Sequence, residues 1–157
     1  MKLLFLCTHN ACRSILAESI ARKTGGHLWQ TDSAGSHPAG EVNPATLRHL
    51  CEKGYPTDNL FSKSWDDLSG DEPDITITVC DRAAGEACPI WLGNSMKSHW
   101  GLPDPSGIDD PAQQAVLFNE IISLLEVRLS ALARYIQANN NDLSQITPFL
   151  DQLAATS

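Results

Sequence analysis

The sequence predicts an α/β fold: a parallel sheet with helices on both faces. Two observations lead there. Short apolar or β-branched runs alternate with helical patterns along the chain, the signature of repeated strand–helix–strand units. No internal repeat or linker interrupts the 157 residues, a length that suits one domain with a substantial core.

The elements follow in order. Residues 2–6, with Leu3-Leu4-Phe5-Leu6, read as a short buried strand. From Arg13 to Thr24, Ile15, Leu16 and Ile20 recur at helical spacing, and Gly25-Gly26 ends the helix. His27 to Thr31 reads as a second strand, with Asp32-Ser33-Ala34-Gly35 as the turn after it. Asn43-Pro44 is an N-cap followed by proline at the first helical position, and that helix runs to about Lys53 before Gly54. Ser64 to Asp67 suggests a short helical turn. Asp74 to Val79 alternates Ile and Thr as a third strand and delivers Cys80 to a loop. Residues 81–95 read as a long, mobile excursion. Met96 to Trp100 gives a fourth strand. Pro111 to about Gln137 is the longest helical pattern, broken by Asn139-Asn140-Asn141. The expected domain is therefore 1–137, with 138–157 a tail or a short helix.

Ligands in such sheets bind beyond the carboxyl ends of the strands. The loops that open at Cys7, Ser33, Cys80 and Asp104 all belong to that edge. The first is the most telling: Cys7-Thr8-His9-Asn10-Ala11-Cys12-Arg13-Ser14 links the first strand to the first helix. Five residues between Cys and Arg let successive backbone N–H groups curl inward around an anion. The helix start adds the positive end of its dipole, and Arg13 adds a forked, permanent charge. Asn10 tolerates the left-handed angles a nest requires. Cys7 under that field is expected to be a thiolate with a pKa below the free value of ~8.5, with Ser14 against its sulfur. His9 is placed to orient Asn10 or to donate to the ligand.

Asp104, stiffened between Pro103 and Pro105, can hold a proton near a departing oxygen; alternatively it is a solvated loop carboxylate. Asp109 and Asp110 suit the cap before Pro111. Cys80 and Cys88 read either as unrelated strand-end and loop residues, or as a resolving pair that attacks an adduct on Cys7 in sequence. Cys12 and Cys51 read as inward-packing.

Five cysteines and a net charge of −8 argue against a disulfide framework and against nucleic acid as a partner. Reduced thiols suit a cytoplasmic protein, and no apolar run is long enough to span a membrane.

Together these motifs resemble a known family. The N-terminal Leu-Phe-Leu-Cys-Thr-His-Asn-Ala-Cys-Arg-Ser, then Asp32-Ser33-Ala34-Gly35, Val79-Cys80-Asp81 through Cys88-Pro89, and His99-Trp100-Gly101-Leu102-Pro103-Asp104-Pro105 occur in that order. They resemble arsenate reductases of the low-molecular-weight protein tyrosine phosphatase type over residues 1 to about 137. The resemblance implies a flavodoxin-like three-layer sandwich around a four-stranded parallel sheet. It implies Cys7 as nucleophile toward arsenate, for which phosphate or sulfate are analogues, with Asn10, Arg13 and Ser14 in support. Asp104 becomes the general acid. Cys80 and Cys88 become the cysteines that pass a disulfide to thioredoxin; in some relatives a small thiol, glutathione, and glutaredoxin serve instead. No tightly bound cofactor is implied, but some members bind potassium near the anion loop, and Asn10, Glu18 and Ser33 are the matching side chains.

Two departures mark this chain. His9 stands where phosphatases usually carry Gly, and Ser106-Gly107 follows Asp-Pro where phosphatases carry aromatic residues. A phosphatase acting on phosphomonoesters, and an oxyanion-binding module without turnover, are the alternatives.

Overall fold

The computed structural model describes residues 1–68, 72–80 and 93–156. Four strands, β1 (Lys2–Cys7), β2 (Gln30–Gly35), β3 (Ile75–Thr78) and β4 (Met96–His99), form one parallel sheet in the order β2-β1-β3-β4. The helices among the described residues are α1 (Arg13–Gly25), α2 (Pro44–Glu52), α3 (Pro111–Ala138) and α4 (Ile146–Ala154), joined by short 3-10 turns.

Alternation along β1 assigns its two faces. Leu3, Phe5 and Cys7, continued on β3 by Ile75 and Ile77, share a core with Ile15, Leu16 and Ile20 of α1, Leu50 of α2 and Phe118 to Ile136 of α3. Leu4, Leu6 and Ala34 face the other way, against Trp65 and Leu68 of the 3-10 turn Trp65–Leu68. The register sets the functional edge: Cys7 lies opposite Gly35, and Thr78 opposite His99.

β2 departs from the sequence reading. It begins at Gln30 and includes Asp32–Gly35, the expected turn. The cause lies upstream. Gly26 takes φ 51° after α1 and opens a 3-10 turn over Gly26–Leu28. Trp29 then anchors on α1, its Nε1–H donating to the Ala21 carbonyl at 2.8 Å. Only from Gln30 is the chain free to pair with Lys2.

Cys51 also departs: it is exposed. The buried positions of α2 are Thr46, His49 and Leu50, and residue 51 falls off that face. Past Asn139–Asn141 the chain forms α4, and Ile146, Leu150 and Leu153 enter the main core. α4 lies along β4: Ser98 Oγ donates to Asp151 Oδ1 at 2.8 Å, and Trp100 Nε1 to the Leu150 carbonyl at 3.1 Å. α4 thereby packs against one face of the sheet at β4. Cys88 and most of the expected 81–95 excursion lie outside the described residues. Among the described residues no helix is long and apolar enough to cross a membrane.

Candidate active site

Three local features shape the loop between β1 and α1. The carbonyls of Thr8, His9 and Ala11 accept from the N–H groups of His37, Ala39 and Asn43, each at 2.9 Å. With those carbonyls turned outward, the loop presents its N–H edges inward, as an anion nest requires. Asn10 makes the left-handed bend at φ 47°. Gly35 lets β2 end directly beneath, because a Cβ there would stand 2.5 Å from the Thr8 carbonyl oxygen. No side chain caps α1, and its first turn holds no acid. The positive helix end is therefore left open toward the loop.

Arg13 and Asp104 meet across a cleft that Cys7, His9, Cys12 and Ser106 also line. Arg13 Nη1 donates to the Leu102 carbonyl at 3.1 Å, and its Nη2 lies 3.7 Å from Asp104 Oδ2. The Asp104 side chain is 45% exposed. Its Oδ1 accepts from both the N–H and the hydroxyl of Ser106, at 3.0 and 2.6 Å. Ser106, which the sequence marks only as a departure, thus fixes the acid; Asp104 caps a 3-10 turn, while Asp110 caps α3.

Cys7 and Cys80 are buried thiols hydrogen-bonded to each other. Thr8 Oγ1 lies 3.5 Å from the Cys80 sulfur. The expected depressed pKa at Cys7 is overturned. The bond with Cys80, and then burial, push the Cys7 thiol up, against the pull of Arg13 and the His9 N–H. Two sulfurs in contact titrate as a pair. Cys12 is buried within the loop, and burial pushes its thiol up to about 12.

Ser14 is buried at the start of α1. Its Oγ accepts from Asn10 Nδ2 at 2.8 Å. His9 is exposed at the rim, with Nδ1 facing the His37 carbonyl at 3.2 Å.

Beneath the loop, Asn10 Nδ2 donates to Ser33 Oγ at 2.9 Å, and Ser33 Oγ donates to Glu18 Oε1 at 2.6 Å. All three expected potassium ligands therefore come together, but they do not fit the ion. The Lys63 N–H donates to Asn10 Oδ1 at 2.9 Å, which fixes the amide with its NH₂ toward Ser33. A hard cation needs oxygen donors there. Glu18 Oε2 is taken by Arg22 Nη2 at 2.7 Å. Lys63 is the residue that sequence reasoning misses: it lies in a stretch without periodicity, and nothing local marks it as buried.

The chain is similar to known proteins in sequence and in fold. The family model of the low molecular weight phosphotyrosine protein phosphatases matches residues 2–142. Arsenate reductase 2 of Staphylococcus haemolyticus is 38% identical over 103 residues, 66% of this chain and 77% of that protein. The arsenate reductase of Brevibacillus brevis is 36% identical over 112 residues, 71% of this chain and 82% of that one. Among solved structures, a thioredoxin-dependent arsenate reductase of Corynebacterium glutamicum superposes with a TM-score of 0.66 at 31% identity; the match covers 88% of this chain but 62% of that one. An arsenate reductase of Archaeoglobus fulgidus gives 0.68 at 25% identity, over 83% of this chain and 98% of that one. The chain belongs to the low molecular weight phosphotyrosine protein phosphatase family and, within it, groups with the arsenate reductases.

Proposed function

We propose that this protein reduces arsenate to arsenite at the Cys7 loop, with the electrons coming from its own thiols. The observation that carries this reading is the contact between the Cys7 and Cys80 thiols. A phosphatase needs one nucleophilic sulfur; a second one against it suits a reaction in which sulfur is oxidised.

The loop N–H groups, the α1 terminus and Arg13 bind the oxyanion. Cys7 attacks as the thiolate, the form that Arg13 and the His9 N–H favour. An S–As(V) bond forms, and an arsenate oxygen leaves as water after Asp104 donates a proton. Cys80, once deprotonated, attacks the Cys7 sulfur. The S–S bond forms, the S–As bond breaks, and its electron pair stays on arsenic. As(V) thus gains the two electrons that the two sulfurs lose, and arsenite departs.

Cys88 then attacks Cys80 and releases Cys7, leaving a Cys80–Cys88 disulfide for an external dithiol to reduce. Thioredoxin is the reductant in this reading, as in the Corynebacterium glutamicum relative; glutathione with glutaredoxin is the alternative supply. The site works in a reducing, cytoplasmic compartment.

Peptide mapping after a single turnover with arsenate tests the relay. Cys88→Ser should accumulate a Cys7–Cys80 disulfide and one equivalent of arsenite. Cys80→Ser should form no such bond and release little arsenite. Wild-type turnover of Cys88→Ser with thioredoxin would remove Cys88 from the route. Hydrolysis of phosphomonoesters without arsenite formation would favour the phosphatase reading.

A further inference from the structure

We propose that the ammonium of Lys63 is the resident cation beneath the anion loop, so that the loop is ordered without any metal ion. Lys63 is only 7% exposed. Its Nζ lies 2.9 Å from Asp32 Oδ1 and 3.9 Å from Glu18 Oε1, and 4.4 Å above the Phe61 ring. A lysine is rarely buried to this degree unless it is paired. Here it meets two carboxylates and an aromatic face, the surroundings a small cation would also seek.

The backbone of Lys63 is fixed to the loop it supports. Its N–H donates to Asn10 Oδ1 at 2.9 Å, and its carbonyl accepts from the Gly35 N–H at 3.0 Å. The charge therefore reaches the loop through an unbroken path. Lys63 neutralises Glu18, Glu18 accepts from Ser33, Ser33 accepts from Asn10, and Asn10 donates to Ser14. Asn10 is the residue that holds the left-handed bend. A second cation at this point would be repelled by the ammonium. Lys63 is thus a positioning residue, acting on the oxyanion through Asn10.

The inference rests on the anion-loop reading of the proposed function, so the test uses one readout that depends on that reading and one that does not. Thermal midpoints, and the phosphate concentration that half-protects Cys7 from iodoacetamide, are measured in potassium chloride and in tetramethylammonium chloride at equal ionic strength. Wild type should show no difference between the salts. Lys63→Ala opens space for a small ion. In tetramethylammonium it should melt earlier and need about ten-fold more phosphate, as when a group that orients a ligand-binding residue is lost. Potassium should restore both. Lys63→Met fills the space without charge and should be impaired in both salts.

A wild-type gain in potassium, or a Lys63→Ala variant indifferent to the cation, overturns the proposal. If Lys63→Ala folds in neither salt, Glu18→Gln/Lys63→Met decides. With both charges gone, it should fold and ignore the cation; failure of that double variant to fold also overturns the proposal. If melting follows the expected pattern but phosphate protects Cys7 in no buffer, the anion-loop reading fails while the resident cation stands.

Discussion

Arg13 and Lys63 approach the same loop from opposite sides, and they are held in opposite ways. Arg13 faces the cleft, 17% exposed, with its carboxylate partner 3.7 Å away and itself 45% exposed. Lys63 is buried, with the half-exposed Asp32 carboxylate at 2.9 Å and the buried Glu18 carboxylate at 3.9 Å, so its buried pair is the one with Glu18. An exposed pair of the first kind contributes ~0–1 kcal/mol to stability. Removing one partner of a buried pair costs ~3–5 kcal/mol. The difference separates two tasks. Lys63 is already satisfied and holds shape. Arg13 lines the cleft, its charge held by a long, part-exposed ion pair, which leaves its guanidinium available for an incoming oxyanion at little cost in broken contacts.

The sharpest way to break this contrast is Arg13→Lys. The charge stays but the fork is lost. The phosphate needed to protect Cys7 should rise about 10²-fold, comparable to losing one oxyanion donor, while the melting temperature barely moves. Titration of phosphate against iodoacetamide labelling, with calorimetry on the same samples, measures both. A large loss of stability with unchanged protection would assign Arg13 the structural task instead.

A smaller effect is expected at the sulfurs. The Cys7 thiol is raised first by its hydrogen bond with Cys80 and then by burial. Cys80→Ser removes the sulfur that shares its proton, so the Cys7 pKa should fall. The midpoint of the alkylation rate against pH, followed by mass spectrometry at Cys7, should move to lower pH than in wild type. An upward move would mean that Cys80 stabilises the Cys7 thiolate rather than its protonated form.

The open side of the site is far more legible in the sequence than the closed side. Cys7, Arg13, Cys80 and Asp104 sit at strand ends or between prolines, where spacing carries meaning, and the structure brings them to one edge. The parallel sheet and α1, α2 and α3 follow from periodicity and capping. What periodicity does not supply is register. The sequence starts β2 too early because a tryptophan anchored on α1 decides where pairing begins. It suggests a depressed thiol pKa because the helix end and Arg13 are local to Cys7. Cys80, which outweighs them, comes from 73 positions away. Lys63 escapes notice for the same reason. Its burial arises from Glu18, Asp32 and Phe61 converging on it, and Glu18 and Asp32 are distant in the chain.

Glu18 gives the finest test of the closed side. Burial is the chief cause that raises its carboxyl pKa, while the Ser33 hydroxyl and the Lys63 charge pull it down. A carboxyl raised above its ordinary value of ~4.3 makes the folded state bind protons more tightly than the unfolded state. The stability this contributes is present below the unfolded value and is lost as pH rises through the folded one. Glu18→Gln has no proton to exchange and keeps an oxygen for Ser33. Its melting temperature relative to wild type should therefore climb as pH rises from about 4 toward neutrality. The full climb corresponds to ~1.4 kcal/mol for every tenfold by which folding tightens proton binding at Glu18. Any constant offset from weakening the Lys63 pair leaves that slope intact. In a Lys63→Met background the slope should steepen, because one of the charges holding the carboxyl down has gone. A slope unchanged by Lys63→Met would show that the ammonium does not act on Glu18, and the path from Lys63 to Asn10 would be broken at its first link.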